Sequence, residues 1–240
     1  MIFEHDFEMG IKDVGKDGLL ENRAILEMLE DIGAYHSDLA GYGINNIPEK
    51  KVVWILLGWK LKVIKRPKYG QTIHIKTWGR DMLKAFTYRD FELYDSENNL
   101  CAIATSKWTL INIDTSRVTR ITDEIASSYK VENKKVFNDE PMGKIQVPTT
   151  FSNIVDYKVN RRDIDINGHM HNLYYLDLAI EALPEELYKN IFYNNVEIQY
   201  KKEIKMGEVV KCKYSLQNGK NIVVICNQDE TISHAVVELF

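Results

Sequence analysis

Apolar positions recur with helical spacing in two separate stretches of the chain. In the first stretch they are Ile25, Met28, Leu29, Ile32 and Leu39. In the second they are Leu173, Leu176, Ile180 and Leu183, and Pro184 ends the pattern. Spacings of three and four residues place such side chains on one face of an α-helix. The pattern therefore predicts two amphipathic helices, one in each half of the chain.

Strand-like segments follow each predicted helix. Residues 71–78 and 208–214 combine β-branched and aromatic residues with polar ones, and turn-forming runs at 95–99 and 217–220 separate further strands. Each half is therefore predicted to contain a short strand, one helix and several long strands. Because a single helix on a long antiparallel sheet is an α+β layer, the predicted fold class is α+β.

The two halves also match residue by residue. A shift of 150 positions aligns Asp13 with Asp163, Gly18 with Gly168, Asn22 with Asn172, and Leu26 with Leu176. A shift of 137 positions aligns residues 65–70 with 202–207. These identities coincide with the helix and strand patterns, which predicts an internal repeat. The expected organisation is a first repeat over 1–122, a second over 151–240, and between them a polar linker, 123–150, with Pro141, Gly143 and Pro148.

Composition indicates a folded protein. Of the 240 residues, 45% are hydrophobic and 28% are charged, which is enough apolar material for a sizeable core. The longest apolar run, 52–59, is too short to cross a bilayer, so no membrane partner is expected. A formal net charge of −4 argues against general nucleic-acid binding. The opening Met-Ile-Phe-Glu-His-Asp has no signal-peptide pattern, which predicts a cytoplasmic protein with reduced thiols.

The densest polar cluster, residues 163–172, lies just before the second predicted helix. Its beginning matches an EF-hand calcium loop at Asp163, Asp165, Asn167 and Gly168. Tyr174, however, stands where a bidentate Glu must complete the calcium cage. A zinc site at His169 and His171 lacks further ligands, because the three cysteines show no paired spacing. We therefore expect no metal or other cofactor, and the cluster favours a polar site at a helix N-terminus.

The first repeat keeps the sequence pattern around this cluster but lacks its set of polar side chains. Asp165, Asn167, His169 and Glu203 of the second repeat correspond to Gly15, Asp17, Leu19 and Arg66 of the first. Two equivalent repeats, only one of which carries this set of polar side chains, indicate a fused dimer with one catalytic half.

Two segments of the second repeat carry a family resemblance. Residues 165–175 are similar to the motif Asp-x-Asn-x-His-x-Asn-Asn-x-x-Tyr, and 200–203 to the segment Tyr-Arg-Arg-Glu, of the acyl-acyl carrier protein thioesterases. The resemblance implies a tandem (double) hotdog fold, in which two long antiparallel sheets each wrap one helix. It also implies hydrolysis of the thioester of fatty acyl-acyl carrier protein, with the acyl chain held in the first repeat. Two positions depart from the family pattern: Ile204 stands where some plant members have Cys, and His171 replaces an Asn.

Ile204 has no thiol, which excludes a cysteine nucleophile at that position. Cys101, Cys212 and Cys226 are more typical of small buried hydrophobic residues. The candidate catalytic residues are therefore Asp165, Asn167, His169 and Glu203. In this hypothesis a carboxylate activates water, the other two side chains orient water and thioester, and backbone N–H groups at the helix start stabilise the oxyanion. The sequence leaves open which carboxylate acts, and whether it attacks directly to form an anhydride.

An acidic carrier protein requires a basic docking surface. The candidates are Lys60, Lys62, Lys65, Arg66, Lys68, Arg161, Arg162, Lys201, Lys202 and Lys205. The alternatives are a thioesterase for acyl-coenzyme A, a hotdog hydratase and a non-catalytic acyl-binding module. The hydratase pattern requires Asn-Pro, whereas Gly168 follows Asn167 here, and the polar set argues against a pure binding module. The acyl chain length and a homodimer stay open.

Overall fold

A computed structural model of the chain describes residues 1–80, 82, 85–138, 142–188 and 192–240. The chain divides into two compact units, Met1–Met142 and Gly143–Phe240. Both units combine helices with an antiparallel sheet, so the predicted α+β class is confirmed. None of the helices in the described ranges is long and apolar enough to cross a membrane.

The first unit contains one long helix and an antiparallel sheet. Its strands are β1 (Phe3–Glu8), β2 (Val52–Val63), β3 (Thr72–Gly79), β4 (Phe86–Tyr94), β5 (Leu100–Asn112) and β6 (Arg117–Val118). Its helices are α1 (Asn22–Leu39), α2 (Ile47–Lys50) and α3 (Asp123–Tyr129). The strand order is β1-β3-β4-β5-β2, with β6 on β5, and α1 packs on β1 and β3.

The second unit has the same arrangement with shorter elements. Its strands are β7 (Asn153–Lys158), β8 (Asn195–Tyr200), β9 (Val209–Gln217), β10 (Lys220–Asn227) and β11 (Ser233–Leu239). Its helices are α4 (Tyr174–Glu181) and α5 (Glu185–Tyr188). The strand order, β7-β9-β10-β11-β8, repeats that of the first unit, and α4 packs on β9, β10 and β11.

Both predicted amphipathic helices are confirmed, with one error at the end of the first. Ile25 and Ile32 on α1 are fully buried, but Leu39 is 62% exposed. The buried side of α1 instead includes His36, which is only 1% exposed. Its Nδ1 lies 2.8 Å from Nη1 of the buried Arg89 on β4. A hydrogen-bonded polar residue therefore belongs to the core, which an apolar pattern does not predict.

Matching backbone hydrogen bonds occur at equivalent positions of the two predicted repeats. In the first repeat the Gly15 N–H donates to the Leu19 carbonyl at 3.0 Å, and the equivalent bond in the second runs from the Asp165 N–H to the His169 carbonyl at 2.8 Å. Likewise, the Leu20 N–H donates to the Pro67 carbonyl at 3.0 Å in the first repeat, and the Met170 N–H donates to the Ile204 carbonyl at 2.8 Å in the second. Both turns place a glycine in the left-handed region, Gly18 at φ +68° and Gly168 at φ +79°. Because residues with a Cβ are strained there, these two glycines are part of the shared frame.

The stretch predicted as a linker, 123–150, begins with packed structure. Its residues 123–129 form α3, on which Ile125 and Tyr129 are buried, and Thr122 caps the helix by accepting a hydrogen bond from the Ile125 N–H. This segment therefore belongs to the core of the first unit. Pro141 lies outside the described residues, and the division between the units falls between Met142 and Gly143.

Candidate active site

Asp165 to His169 form a tight turn that the Asp165 side chain closes. Its Oδ1 accepts hydrogen bonds from the Asn167 N–H at 2.8 Å and the His169 N–H at 3.3 Å. Its Oδ2 accepts one from Asn167 Nδ2 at 3.3 Å. Asp165 and His169 are half-buried, whereas Asn167 is exposed. Three of the four predicted site residues therefore share one turn, and two of them hold it together.

Backbone pairing brings this turn beside the segment that carries Glu203. His169 forms an isolated antiparallel bridge with Lys205, and the Met170 N–H donates to the Ile204 carbonyl at 2.8 Å. Glu203 is exposed and, among the residues that the structure describes, makes no ion pair or hydrogen bond. The ring of His169 likewise has no hydrogen bond in the described part of the chain. The two sequence motifs thus meet, and two of their side chains remain available to a ligand.

His171 lies two residues before Leu173, the N-cap residue of α4. Its Nδ1 accepts a hydrogen bond from the Leu173 N–H at 3.3 Å, which leaves the ring proton of the neutral form on Nε2. The replacement of the family's Asn by His171 therefore keeps a side-chain acceptor for the Leu173 N–H, a role that the sequence alone did not reveal.

Two tyrosines, neither of which the sequence analysis assigned a role, connect α4 to the Glu203 segment. Tyr200, at the end of β8, donates from its hydroxyl to the Asn172 carbonyl at 3.0 Å. Tyr175, on α4, is 2% exposed, and burial raises the pKa of its hydroxyl. The two rings meet edge to face with centroids 5.4 Å apart. Both residues lie inside the quoted motifs. Their counterparts in the first repeat, Ile25 and Val63, have no hydroxyl, and this difference could have indicated a role for the two tyrosines.

Asp163 is a structural residue. It is 1% exposed, and its Oδ2 accepts hydrogen bonds from the Tyr157 hydroxyl and the Asn160 N–H, both at 2.7 Å. This carboxylate caps the short 3-10 helix Arg161–Asp163, as Asp13 caps Ile11–Asp13 in the first unit. The described residues contain no group of three or more His, Cys, Asp or Glu side chains that could hold a metal ion.

The three cysteines are free thiols in the core. Burial raises the pKa of Cys101 to about 11 and that of Cys212 to about 12, and it also raises the pKa of Cys226. Because the thiolate is the reactive form, these cysteines are poor nucleophiles at neutral pH.

The candidate basic residues fall into two groups. In the first unit, Arg66 is bonded to the Leu20 carbonyl and to Asn22, and Lys65 pairs with Asp95 at 2.9 Å. Arg66 and Lys65 therefore take part in interactions within the first unit. In the second unit, the candidates are all exposed, namely Arg161, Arg162, Lys201, Lys202 and Lys205. Partial burial and the nearby Lys144 lower the pKa of Lys201, which indicates a locally cationic surface.

Family models cover nearly the whole chain. The acyl-ACP thioesterase N-terminal domain matches residues 1–129, and the acyl-ACP thioesterase C-terminal domain matches residues 147–237. The chain belongs to the acyl-ACP thioesterase family. The resemblance indicated by the two motifs is therefore confirmed.

Named relatives are distant in sequence. The oleoyl-acyl carrier protein thioesterase 1 of Arabidopsis thaliana chloroplasts is 24% identical over 225 residues, which is 87% of this chain and 62% of that protein. The chain therefore spans less than two thirds of the length of this acyl-ACP thioesterase relative.

Solved structures of two other family members share the fold. An acyl-ACP thioesterase from Bacteroides thetaiotaomicron superimposes with a TM-score of 0.89 at 20% identity, covering 100% of this chain and 97% of that one. The 12:0-ACP thioesterase from Umbellularia californica gives 0.85 at 19% identity, with 99% and 96% covered. The tandem hotdog fold expected for an acyl-ACP thioesterase is thereby confirmed.

Proposed function

We propose that this chain hydrolyses the thioester of fatty acyl-acyl carrier protein and releases a free fatty acid and the thiol of the carrier. Family membership supports the reaction class. The observation that carries the proposal is the backbone pairing of the Asp165–His169 turn with Ile204 and Lys205. This pairing brings two carboxylates, an imidazole and a carboxamide to one edge of the second unit.

Glu203 is the better candidate for the base that activates water. Both oxygens of Asp165 already accept hydrogen bonds from the turn, which favours a structural and electrostatic role for that carboxylate. Glu203 has both carboxylate oxygens free within the described residues. A general base needs a free lone pair within reach of the proton that it removes. We therefore infer that Glu203 removes the proton from water and that Asp165 supports the turn.

His169 and Asn167 have different parts in the mechanism. The His169 ring, half-buried and without a protein partner in the described chain, is free to orient water or the thioester carbonyl. Asn167 already donates its side-chain N–H to Asp165 at 3.3 Å. We infer that Asn167 acts mainly by orienting the Asp165 carboxylate, and that it contacts substrate only after this weak bond is exchanged.

A backbone N–H at the helix start serves the oxyanion. The N–H groups of Leu173, Tyr174 and Tyr175 donate to local acceptors at the start of α4. The Asn172 N–H makes no hydrogen bond within the described residues. It lies one residue from His171 and is the donor that we assign to the developing oxyanion.

The reaction then balances as follows. The water oxygen bonds to the carbonyl carbon while its proton passes to Glu203, and the carbonyl electrons form the oxyanion. When the carbonyl re-forms, the carbon–sulfur bond breaks and sulfur leaves with the bonding pair. The proton on Glu203 returns to the thiolate or to solvent. Because a thiol is a fairly strong acid among leaving groups, departure needs little proton assistance.

The test is a thiol-release assay with acyl-carrier protein and acyl-coenzyme A, each with several acyl lengths. We expect much higher kcat/KM for the carrier-protein substrates, because the exposed cations of the second unit complement an acidic carrier. Equal or higher efficiency with coenzyme A would replace the carrier assignment with the acyl-coenzyme A alternative. If no thiol were released from any substrate while labelled acyl chain still bound, the chain would be the non-catalytic acyl-binding module.

A further inference from the structure

The first unit encloses an arginine whose side-chain partners are neutral. Arg89, on β4, is 6% exposed. Its Nη1 lies 2.8 Å from His36 Nδ1 and 3.3 Å from Thr77 Oγ1, and its Cζ lies 5.7 Å from the centroid of the Tyr129 ring. Burial and the charge of Arg89 lower the pKa of His36 to about 3, so this imidazole is uncharged at neutral pH. None of these contacts brings a negative charge to the guanidinium.

Arg89 nevertheless carries its charge. Burial lowers the pKa of its guanidinium to about 10, which is still well above neutral pH. Asp90, the next residue, lies on the opposite face of β4, because neighbouring side chains of a strand alternate. There its Oδ2 accepts hydrogen bonds from Arg80 Nη1 at 3.2 Å and from the Val136 N–H at 3.0 Å. A buried cation without a counter-charge is unfavourable, so a ligand that supplies a negative charge would be stabilised at Arg89.

The remaining edge of the guanidinium has the geometry that binds a carboxylate. Nε and Nη2 of Arg89 make no hydrogen bond in the part of the chain that the structure describes. Their N–H groups point in the same direction, an arrangement that holds both oxygens of one carboxylate. Gly33 of α1 lies beside this edge, since a Cβ added to it would be 3.5 Å from Arg89 Cδ and 3.8 Å from Nε. The helix therefore approaches Arg89 without a side chain that covers Nε.

Apolar and aromatic side chains surround the ring that faces Arg89. We call them, together with the ring itself, the Tyr129 cluster, and its other members include Leu110, Ile121, Ile125, Trp54 and Met82. On the other side, Phe3 stacks on the His36 ring with centroids 5.5 Å apart. One cation next to an apolar cluster suits a ligand that combines a carboxylate with a hydrocarbon chain. A small, strongly hydrated anion would gain nothing from the cluster.

We propose that the first unit binds a fatty acid anion, with its carboxylate paired to Nε and Nη2 of Arg89 and its hydrocarbon chain against the Tyr129 cluster. The ligand rests on the proposed function, because a free fatty acid is the product that the reaction releases. The site itself is a second one, since the proposed catalytic residues Asp165, Asn167, His169 and Glu203 all belong to the second unit.

The experiment adds octanoate to the full chain and follows the arginine Nε–H signals by NMR. The Arg89 signal is assigned as the one missing from Arg89→Met, and octanoate should shift it in a saturable manner. Octan-1-ol has the chain without the charge, and acetate has the charge without the chain. Both should bind at least about tenfold more weakly than octanoate, because each lacks one of the two contributions to binding.

Calorimetry measures the affinity of the variants for octanoate. Arg89→Met should weaken binding by about 10- to 100-fold, because the charge-assisted pair is lost. The matched control is Arg66→Met, which removes an arginine of the same unit whose Nη1 and Nη2 are bonded to Leu20 and Asn22, and it should leave the affinity unchanged. Arg89→Lys keeps the charge without the paired N–H groups. It should give an intermediate affinity and serves as the test if Arg89→Met does not fold.

Three results would overturn the inference while leaving the proposed function intact: an Arg89 signal that octanoate does not move, wild-type affinity in folded Arg89→Met or Arg89→Lys, or equal affinity for octan-1-ol or acetate. None of these measurements needs turnover. A chain that hydrolyses no thioester but binds octanoate through Arg89 would overturn the proposed function and leave the binding site in place.

Discussion

The two repeats use the same backbone position for opposite purposes. In the first repeat, Arg66 Nη1 donates to the Leu20 carbonyl and Nη2 donates to Asn22 Oδ1, both at 2.8 Å. Burial lowers the pKa of Arg66 to about 10, so it is still charged at neutral pH. Its counterpart in the second repeat, Glu203, is exposed and makes no such bond within the described residues. A polar group at this position supports the fold in one repeat and is left available to a ligand in the other.

In the second repeat, tyrosines rather than an arginine contact the helix start. The Tyr200 hydroxyl donates to the Asn172 carbonyl at 3.0 Å, and the Tyr200 ring packs edge to face on the ring of Tyr175. These contacts join the helix start to the end of β8 without a charged side chain. The helix start of the second repeat is therefore held by neutral side chains, which leaves the position equivalent to Arg66 open to an acidic residue.

The turns at Gly15 and Asp165 also differ in which residue supplies a carboxylate. A Cβ added at Gly15 would lie 2.7 Å from Glu21 Oε1, so the Glu21 carboxylate already covers this position. In the second repeat the carboxylate comes from Asp165 itself, and His171 stands at the position of Glu21. Introducing an aspartate at Gly15 would therefore require the flexible Glu21 side chain to move aside.

The largest expected effect concerns the polar set of the second repeat. Asp165→Ala, Asn167→Ala, His169→Ala and Glu203→Gln should each lower kcat, by about 10²–10³ for the groups that stabilise the transition state. Circular dichroism and melting curves check that each variant is folded, and thiol release measures kcat. Asp17→Ala, the equivalent of Asn167→Ala in the first repeat, is the control and should have wild-type kcat. Wild-type turnover by both the Asp165 and Glu203 variants would disprove a carboxylate mechanism.

The next largest effect should appear in stability rather than rate. Arg66→Ala leaves the Leu20 carbonyl and Asn22 without their bonds, which should lower the free energy of unfolding by about 1–3 kcal/mol. Its kcat should be close to that of wild type. Glu203→Gln should show the reverse, with lost turnover and unchanged stability in urea denaturation. A large loss of kcat in folded Arg66→Ala would contradict the division of roles between the repeats.

A smaller effect is expected for the docking surface. Charge reversal at Arg161, Arg162, Lys201 and Lys202 should raise KM for acyl-carrier protein on the order of tenfold or more, with little change in kcat. The difference in KM between the wild-type and charge-reversed proteins should shrink as salt is added, because the screening length is about 8 Å at physiological ionic strength. Reversal of Lys12, the first-repeat equivalent of Arg162, together with Lys16 is the control. A small acyl thioester should be hydrolysed equally by all three proteins, and unchanged KM for the carrier substrate at low salt would argue against docking here.

The smallest effect is expected at the cysteines. Cys101→Ser, Cys212→Ser and Cys226→Ser should keep wild-type kcat, and alkylating reagents should leave the folded enzyme active, because burial raises all three thiol pKa values. Thiol release before and after iodoacetamide treatment is the measurement. Abolished turnover in one folded serine variant would restore a cysteine mechanism.

Periodicity was sufficient to predict the helices, the main strands and the repeat, because burial of one helix face leaves a strong apolar signal. It failed at Leu39, which is exposed, and at His36, which is buried and hydrogen-bonded to Arg89. The motif resemblance indicated which residues meet, but not that Asp165 and Asn167 bind each other. Such bonds depend on side-chain geometry, which no spacing rule contains.

The eight-residue length of α4 bears on the order in which the site is lost. A helix this short is unstable alone and exists only while it packs on the sheet, whereas the Asp165 turn closes within five residues. On heating, the turn can persist as a local structure after α4 has frayed, but the hydrogen bond between Tyr200 and the Asn172 carbonyl at the helix start is then lost. Heat inactivation should therefore precede the cooperative unfolding of the long first-unit helix α1. The protein would then lose its chemistry while most of its folded mass is still intact.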